Sequence, residues 1–101
     1  MENNYQIKRR IGDIYWTEDE YRIGSPLSCA SGKRDTINEK IILYLLDNVG
    51  KELTYEQISE ASSSINPQSR LNGLVNQFKS SKQFKIIRRR GKVKLEKRLG
   101  F

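Results

Sequence analysis

The chain has 101 residues, of which 36% are hydrophobic and 31% charged, and this length and composition predict one globular domain with a modest core. One cysteine, Cys29, and no histidine exclude an internal disulfide and remove the commonest acid–base catalyst and metal ligand, so we expect neither an enzyme nor a metal or cofactor site. The net charge of +7 is uneven, because residues 1–64 carry eight Lys and Arg against eleven Asp and Glu, whereas residues 65–101 carry eleven against one.

The N-terminal part of the chain is predicted to form a polar arm and then a small sheet. Residues 1–10 are polar and lack the apolar h-region of a signal peptide, and no apolar run reaches the ~18 residues that cross a bilayer, so we expect a cytoplasmic protein. Runs of β-branched and aromatic residues then predict three antiparallel strands, at 11–16, 21–23 and 27–29. A sheet of this size must pack on helices, and residues 30–35 are predicted as the loop that leads to them.

Two capping boxes predict the starts of two helices. Thr36 and Glu39 open the first helix, which is expected to supply much of the core and to stop at Gly50. Its apolar residues recur at helical spacing: Ile37, Ile41, Ile42, Leu45, Leu46 and Val49. Thr54 and Gln57 open a second, shorter helix that ends in Ser62, Ser63 and Ser64. The inward residues expected on this part of the chain are Leu53, Ile58 and Ala61.

A third helix is predicted at about 67–80, with Asn66 as N-cap and Pro67 in the first turn. Its buried stripe is Leu71, Leu74, Val75 and Phe78. The opposite face contains no acid and comprises Gln68, Arg70, Asn72, Gly73, Asn76, Gln77 and Lys79. Amides and cations pair with adenine, guanine and phosphate, and Gly73, which costs ~1 kcal/mol of helix propensity, suggests a close approach of the backbone to a ligand. An ordinary solvated face is the alternative interpretation.

The C-terminal part is predicted to be a β-hairpin with strands at 84–87 and 93–95. The turn would span 88–92 and use Gly91 for its positive φ. Cations at a hairpin tip can contact phosphates or enter a minor groove. A disordered basic tail is disfavoured because apolar residues are interleaved with the cations, and a charged tip that only protects a sheet edge remains an alternative.

This order of elements resembles the winged-helix domain of OmpR/PhoB-type transcription regulators over about residues 11–97. The resemblance is carried by Thr36-x-x-Glu39, by the segment Asn48–Ile58, by the spacing of the buried stripe and by Phe84–Gly91. It implies an α+β winged helix-turn-helix fold with a small N-terminal antiparallel sheet, three helices and a C-terminal β-hairpin wing. The DNA-binding domain would span 11–98, and 99–101 would be a C-terminal tail.

The resemblance also implies roles for individual residues. The third helix would lie in the major groove, with these residues facing the bases: Arg70, Asn72, Gly73, Asn76 and Gln77. The wing, at about 85–95, would lie on the backbone or in the minor groove, and the implied backbone and wing contacts are Lys79, Arg88, Arg89, Arg90 and Lys92. The chain departs from the family at Gly91-Lys92, where the family has a Gly-aromatic pair, and at Ser62–Ile65, which replaces a tryptophan-bearing loop.

The expected function is that of a sequence-specific transcription regulator whose partner is double-stranded promoter DNA. The resemblance also admits a dimer on DNA and contacts with RNA polymerase or a partner regulator. Within the family the chain is most similar to the N-terminal cytoplasmic domain of ToxR/CadC-like regulators, which would put an inner-membrane anchor beyond this chain; a stand-alone regulator is equally consistent with the residues. The alternative from another class is a winged-helix protein-interaction module with non-specific nucleic-acid affinity.

Overall fold

The computed structural model describes residues 7–25 and 28–98, and within them the chain forms an α+β fold with three helices and two antiparallel sheets. The helices are α1 (Ile37–Leu46), α2 (Tyr55–Ser62) and α3 (Pro67–Phe78). The first sheet contains β1 (Arg9–Ile11), β2 (Ile14–Trp16), β3 (Glu20–Ser25) and β4 (Ser28–Lys33). The second contains β5 (Leu53–Thr54), β6 (Phe84–Arg89) and β7 (Lys92–Lys97). Leu27 of the third predicted strand, residues 1–6 of the arm and the tail 99–101 lie outside the described residues.

The first sheet is a meander in the order β1-β2-β3-β4, and it differs from the prediction at both ends. The single strand predicted at 11–16 is wrong, because Gly12 has a φ of +60° and begins a two-residue turn between the paired residues Ile11 and Ile14. The loop predicted at 30–35 is also wrong for its first part, since β4 stays paired with β3 as far as Lys33 opposite Glu20. The sheet therefore begins at Arg9, inside the predicted arm.

The cap of α1 has the predicted first bond but a different second one. The Thr36 side chain accepts from the Glu39 amide at 3.3 Å, as expected of an N-cap. The Glu39 carboxylate, however, accepts from the Asp35 amide at 2.7 Å and from Arg34 Nε at 2.6 Å. The helix ends at Leu46, and Gly50, with a φ of +85°, lies beyond it and donates its amide to the Leu95 carbonyl at 2.8 Å.

The capping box of α2 is confirmed in both directions. The Gln57 amide donates to Thr54 Oγ1 at 3.1 Å, and the Thr54 amide donates to Gln57 Oε1 at 2.9 Å. The inward position of Ala61 was wrong, because Ala61 is exposed and Ser62 is buried. Burial of this hydroxyl is tolerated since Ser62 Oγ donates to the Ile58 carbonyl at 2.7 Å.

One hydrophobic core joins both sheets and all three helices. Its buried members are Ile14, Trp16, Tyr21, Ile23, Ile41, Ile42, Leu45, Leu53, Ile58, Leu71, Leu74, Phe78, Phe84, Val93 and Leu95. Helix α1 touches β4 and β7, and α3 touches β3, β4 and β6, so these two helices each contact both sheets. The position of α3 is therefore set from two sides. No helix in the described part of the chain has the length and apolar character needed to cross a membrane.

Candidate nucleic-acid interface

Helix α3 starts and packs as its sequence predicts. Asn66 Oδ1 accepts from the Ser69 amide at 3.3 Å, and Pro67 occupies the first turn, where its missing amide proton leaves no bond unmade. Leu71, Leu74 and Phe78 are buried, whereas Val75 is only half-buried. The helix ends at Phe78, two residues before the predicted end. This stripe holds one face of α3 in the core and leaves the opposite face to solvent.

The exposed face of α3 carries four of the five residues that were predicted to face bases: Arg70, Asn72, Gly73 and Asn76. No acidic residue occurs anywhere in the helix. Lys79, at the C-cap, is also exposed. Among residues 7–25 and 28–98, neither Arg70 nor Lys79 forms an ion pair, so both charges are available to an anion.

Gly73 is not required by the fold. A Cβ built at this position would meet no atom within 4 Å, because the residue lies on the exposed side of the helix. Glycine lowers helix stability by ~1 kcal/mol relative to alanine, and here no internal contact offsets that loss. Contacts within the described part of the chain therefore do not explain the glycine at this position.

Gln77 differs from the other predicted base-facing residues. Its side chain is half-buried, and Oε1 accepts a hydrogen bond from the Tyr21 hydroxyl at 2.9 Å. The structure therefore ties Gln77 to the first sheet. Tyr21 was not singled out by the sequence, in which it alternates with Ile23 as an inward residue of a strand and shows no sign of a contact 56 residues away.

The hairpin turn is tighter than predicted. Strands β6 and β7 are joined by Arg90 and Gly91 alone, and these residues have φ values of 55° and 77°. Two consecutive positive φ values are the pattern of a type I′ turn. The predicted turn at 88–92 is therefore wrong, since Arg88 and Arg89 belong to β6 and Lys92 to β7. Only Arg90, of the four predicted wing cations, lies at the tip.

Arg88 and Arg89 lie on opposite faces of the second sheet, because successive side chains of a strand alternate between its faces. Arg88 shares its face with Phe84 and Ile86, which pack on the core, and its Nη1 donates to Asn72 Oδ1 at 2.6 Å. This bond joins the hairpin to the exposed face of α3. Arg89 lies on the other face, and within the described ranges neither Arg89 nor Arg90 has a carboxylate partner at ion-pair distance.

The face that carries Arg89 is partly neutralised. Lys92 Nζ lies 4.0 Å from Glu52 Oε1, and Lys94 Nζ lies 3.0 Å from Glu96 Oε2. A hydrogen bond from Lys94, together with the charges of Lys94, Lys85 and Arg89, lowers the pKa of Glu96, so this carboxylate stays ionised. Such exposed pairs add little stability but reduce the net charge of the face. Among the described residues, cations without a carboxylate partner lie at the hairpin tip and along α3, and on this face at Lys85 and Arg89.

A polar clamp at the end of α3 holds the helix against the hairpin. Asp13, in the β1–β2 turn, accepts from Ser81 Oγ at 2.8 Å and from the Lys82 amide at 2.6 Å. Arg98 Nε donates to the carbonyls of Ser81 at 3.0 Å and Phe84 at 3.1 Å. Ser81 Oγ also accepts from the Phe84 amide at 2.9 Å. The segment between α3 and β6 is thereby fixed to the β1–β2 turn and to the residue that follows β7, which sequence patterns did not reveal.

No family model, curated protein or solved structure matches this chain. In the described part of the chain, no cluster of Cys, Asp and Glu is arranged to hold a metal ion. What the surface binds must therefore be inferred from α3 and the hairpin themselves. The exposed amides, Arg70 and Gly73 of α3 lie on a helix face that the Arg88–Asn72 bond joins to β6, and groups of this kind can hydrogen-bond to base edges and attract phosphates.

Proposed function

We propose that the chain is a winged-helix, sequence-specific DNA-binding transcription regulator, with α3 in the major groove and the β6–β7 hairpin as the wing. The observation that carries this proposal is the acid-free exposed face of α3, which the Arg88–Asn72 bond at 2.6 Å joins to the hairpin. The major groove is about 12 Å wide and admits one α-helix. Short side chains at the centre of the face let the helix backbone come close to the base edges.

The proposed contacts divide by chemistry. The exposed amide of Asn76 and the guanidinium of Arg70 are suited to base edges, because amides pair with adenine and guanidinium groups with guanine. Lys79 and Arg90 are suited to phosphate, where they add affinity without sequence preference. Asn72 and Arg88 act as a pair that fixes the angle between helix and wing. The Asn66 cap and the Asp13 clamp hold the two ends of α3.

The proposed partner is double-stranded promoter DNA in the cytoplasm, and the proposed role is not enzymatic. The same proposal includes a ToxR/CadC-like arrangement, with an anchor outside this chain. It also includes the contacts that the OmpR/PhoB-type resemblance admits, with RNA polymerase or with a second copy on DNA.

The test is selection from a randomised duplex library, followed by fluorescence anisotropy at low salt. We expect one enriched site, loss of discrimination of ~1–3 kcal/mol at one base in Asn76→Ala, and a uniform loss of affinity in Arg90→Ala. Lys40→Ala, which removes an exposed charge on α1, is the matched control and should bind like the parent chain. Absence of binding to every duplex at low salt would overturn the proposal.

A second candidate is a protein-interaction module that docks an acidic partner. It is favoured by the cations on the outer face of the second sheet, Lys85 and Arg89, because a duplex seated on α3 would leave that face uncovered. This candidate predicts that Lys85→Glu with Arg89→Glu abolishes partner binding while Asn76→Ala does not. A site-specific DNA preference that Asn76→Ala removes would favour the regulator instead.

A further inference from the structure

Tyr21 crosses from the first sheet to α3 through the core. It is fully buried on β3 and faces Gly32 on β4, where a Cβ would overlap the phenol ring. The glycine thus leaves the space in which the ring lies flat on the sheet. The hydroxyl emerges beside α3 and donates to Gln77 Oε1 at 2.9 Å.

The hydrogen bond at this hydroxyl has a defined direction. Burial raises the pKa of Tyr21, so the hydroxyl keeps its proton over the ordinary pH range and acts as a donor to Gln77. The amide oxygen of Gln77, which cannot donate, is the acceptor.

We propose that Tyr21 is a positioning residue that sets one base preference of α3 by holding the amide of Gln77 with its oxygen turned inward. This inference rests on the proposed DNA-binding function. Because an amide is planar, fixing Oε1 also fixes the direction of the two Nε2 N–H bonds. Gln77 then offers donors to the groove and withholds its acceptor.

A glutamine that presents only its N–H donors to the groove selects a different base from a glutamine whose amide can rotate. Pairing with adenine needs the amide oxygen to accept from N6 while the nitrogen donates to N7. Guanine presents two neighbouring acceptors, N7 and O6, and no donor in the major groove. The base read by Gln77 is therefore expected to be guanine in the parent chain.

The experiment compares the base preferences of the parent chain and of Tyr21→Phe at the selected site. Phenylalanine keeps the ring over Gly32 but frees the Gln77 amide to rotate, so the guanine-over-adenine ratio at one position should fall about tenfold. In a Gln77→Ala background the same substitution should have no further effect on that ratio. Tyr44→Phe, which removes a hydroxyl from a half-buried tyrosine of α1, is the matched control.

The outcomes separate this inference from the proposed function. A parent chain that selects no site would overturn both. A parent chain with a clear preference, which Tyr21→Phe retains at every position even if its Tm falls, would show that Tyr21 only docks the sheet on α3 and would overturn the inference alone. An unchanged base preference in Gln77→Ala would also overturn the inference alone.

Discussion

A substitution at Gly73 should separate stability from the proposed DNA binding at a single residue. Because a Cβ there meets no atom within 4 Å, Gly73→Ala should stabilise the fold by ~1 kcal/mol, or about 4–8 °C in Tm for a domain of this size. The same methyl group would separate the α3 backbone from the base edges, so the affinity for the selected duplex should fall. Thermal unfolding and anisotropy measure the two effects.

Gly50→Ala is the matched control for this substitution. A Cβ at Gly50 also meets no atom within 4 Å, but its φ of +85° is disfavoured for alanine, so this variant should lose stability and keep its DNA affinity. If Gly73→Ala bound DNA as tightly as the parent chain, the close approach of the α3 backbone would be contradicted.

At the scale of elements, the hairpin contains a strained turn. Substitution of Arg90 in this turn should change stability and the proposed DNA binding in opposite directions. A type I′ turn favours Asn or Gly at its first central position, yet Arg90 occupies it with a φ of 55°. Arg90→Asn should therefore raise the free energy of unfolding by ~0.5–1 kcal/mol while weakening binding to all duplexes alike. Lys92→Asn removes the same charge from a strand residue that pairs with Glu52 on the outer face of the sheet, so it should leave DNA binding close to that of the parent chain and should not stabilise the hairpin. An Arg90→Asn variant that is less stable than the parent chain would contradict the inference that Arg90 is strained.

The elements also show why the fold was predicted better than the site. The caps at Thr54 and Asn66 lie within three residues of their partners, and such local patterns can be recognised in a sequence. The bonds that build the site join residues far apart in the chain, as Tyr21 to Gln77 over 56 positions and Asp13 to Ser81 over 68. The separation of Arg88 from Arg89 depends on β6 continuing as a strand to Arg89, which the prediction of a turn at 88–92 did not include.

For the whole molecule, the fold determines which of the unevenly distributed cations are paired. Arginines of the first half are held by carboxylates or rings: Arg34 pairs with Glu39, and Arg9 and Arg10 lie over Trp16 and Tyr15. The Arg88–Asn72 bond places β6 beside the exposed face of α3, where Arg70 and Lys79 have no carboxylate partner among the described residues. A polyanion that binds across this junction, as proposed, should take one orientation.

Salt dependence tests this orientation. Each phosphate neutralised by a cation contributes about 0.9 to the slope of log K against log salt concentration. Lys79→Ala removes a charge of the proposed interface and should reduce the slope by about 1, because Lys79 is expected to touch phosphate. Lys40→Ala on α1 should leave the slope unchanged. Anisotropy titrations from about 50 to 200 mM salt cover the useful range. Equal reductions in both variants would mean that DNA is attracted by net charge alone, and that α3 and the β6–β7 hairpin do not form a defined interface.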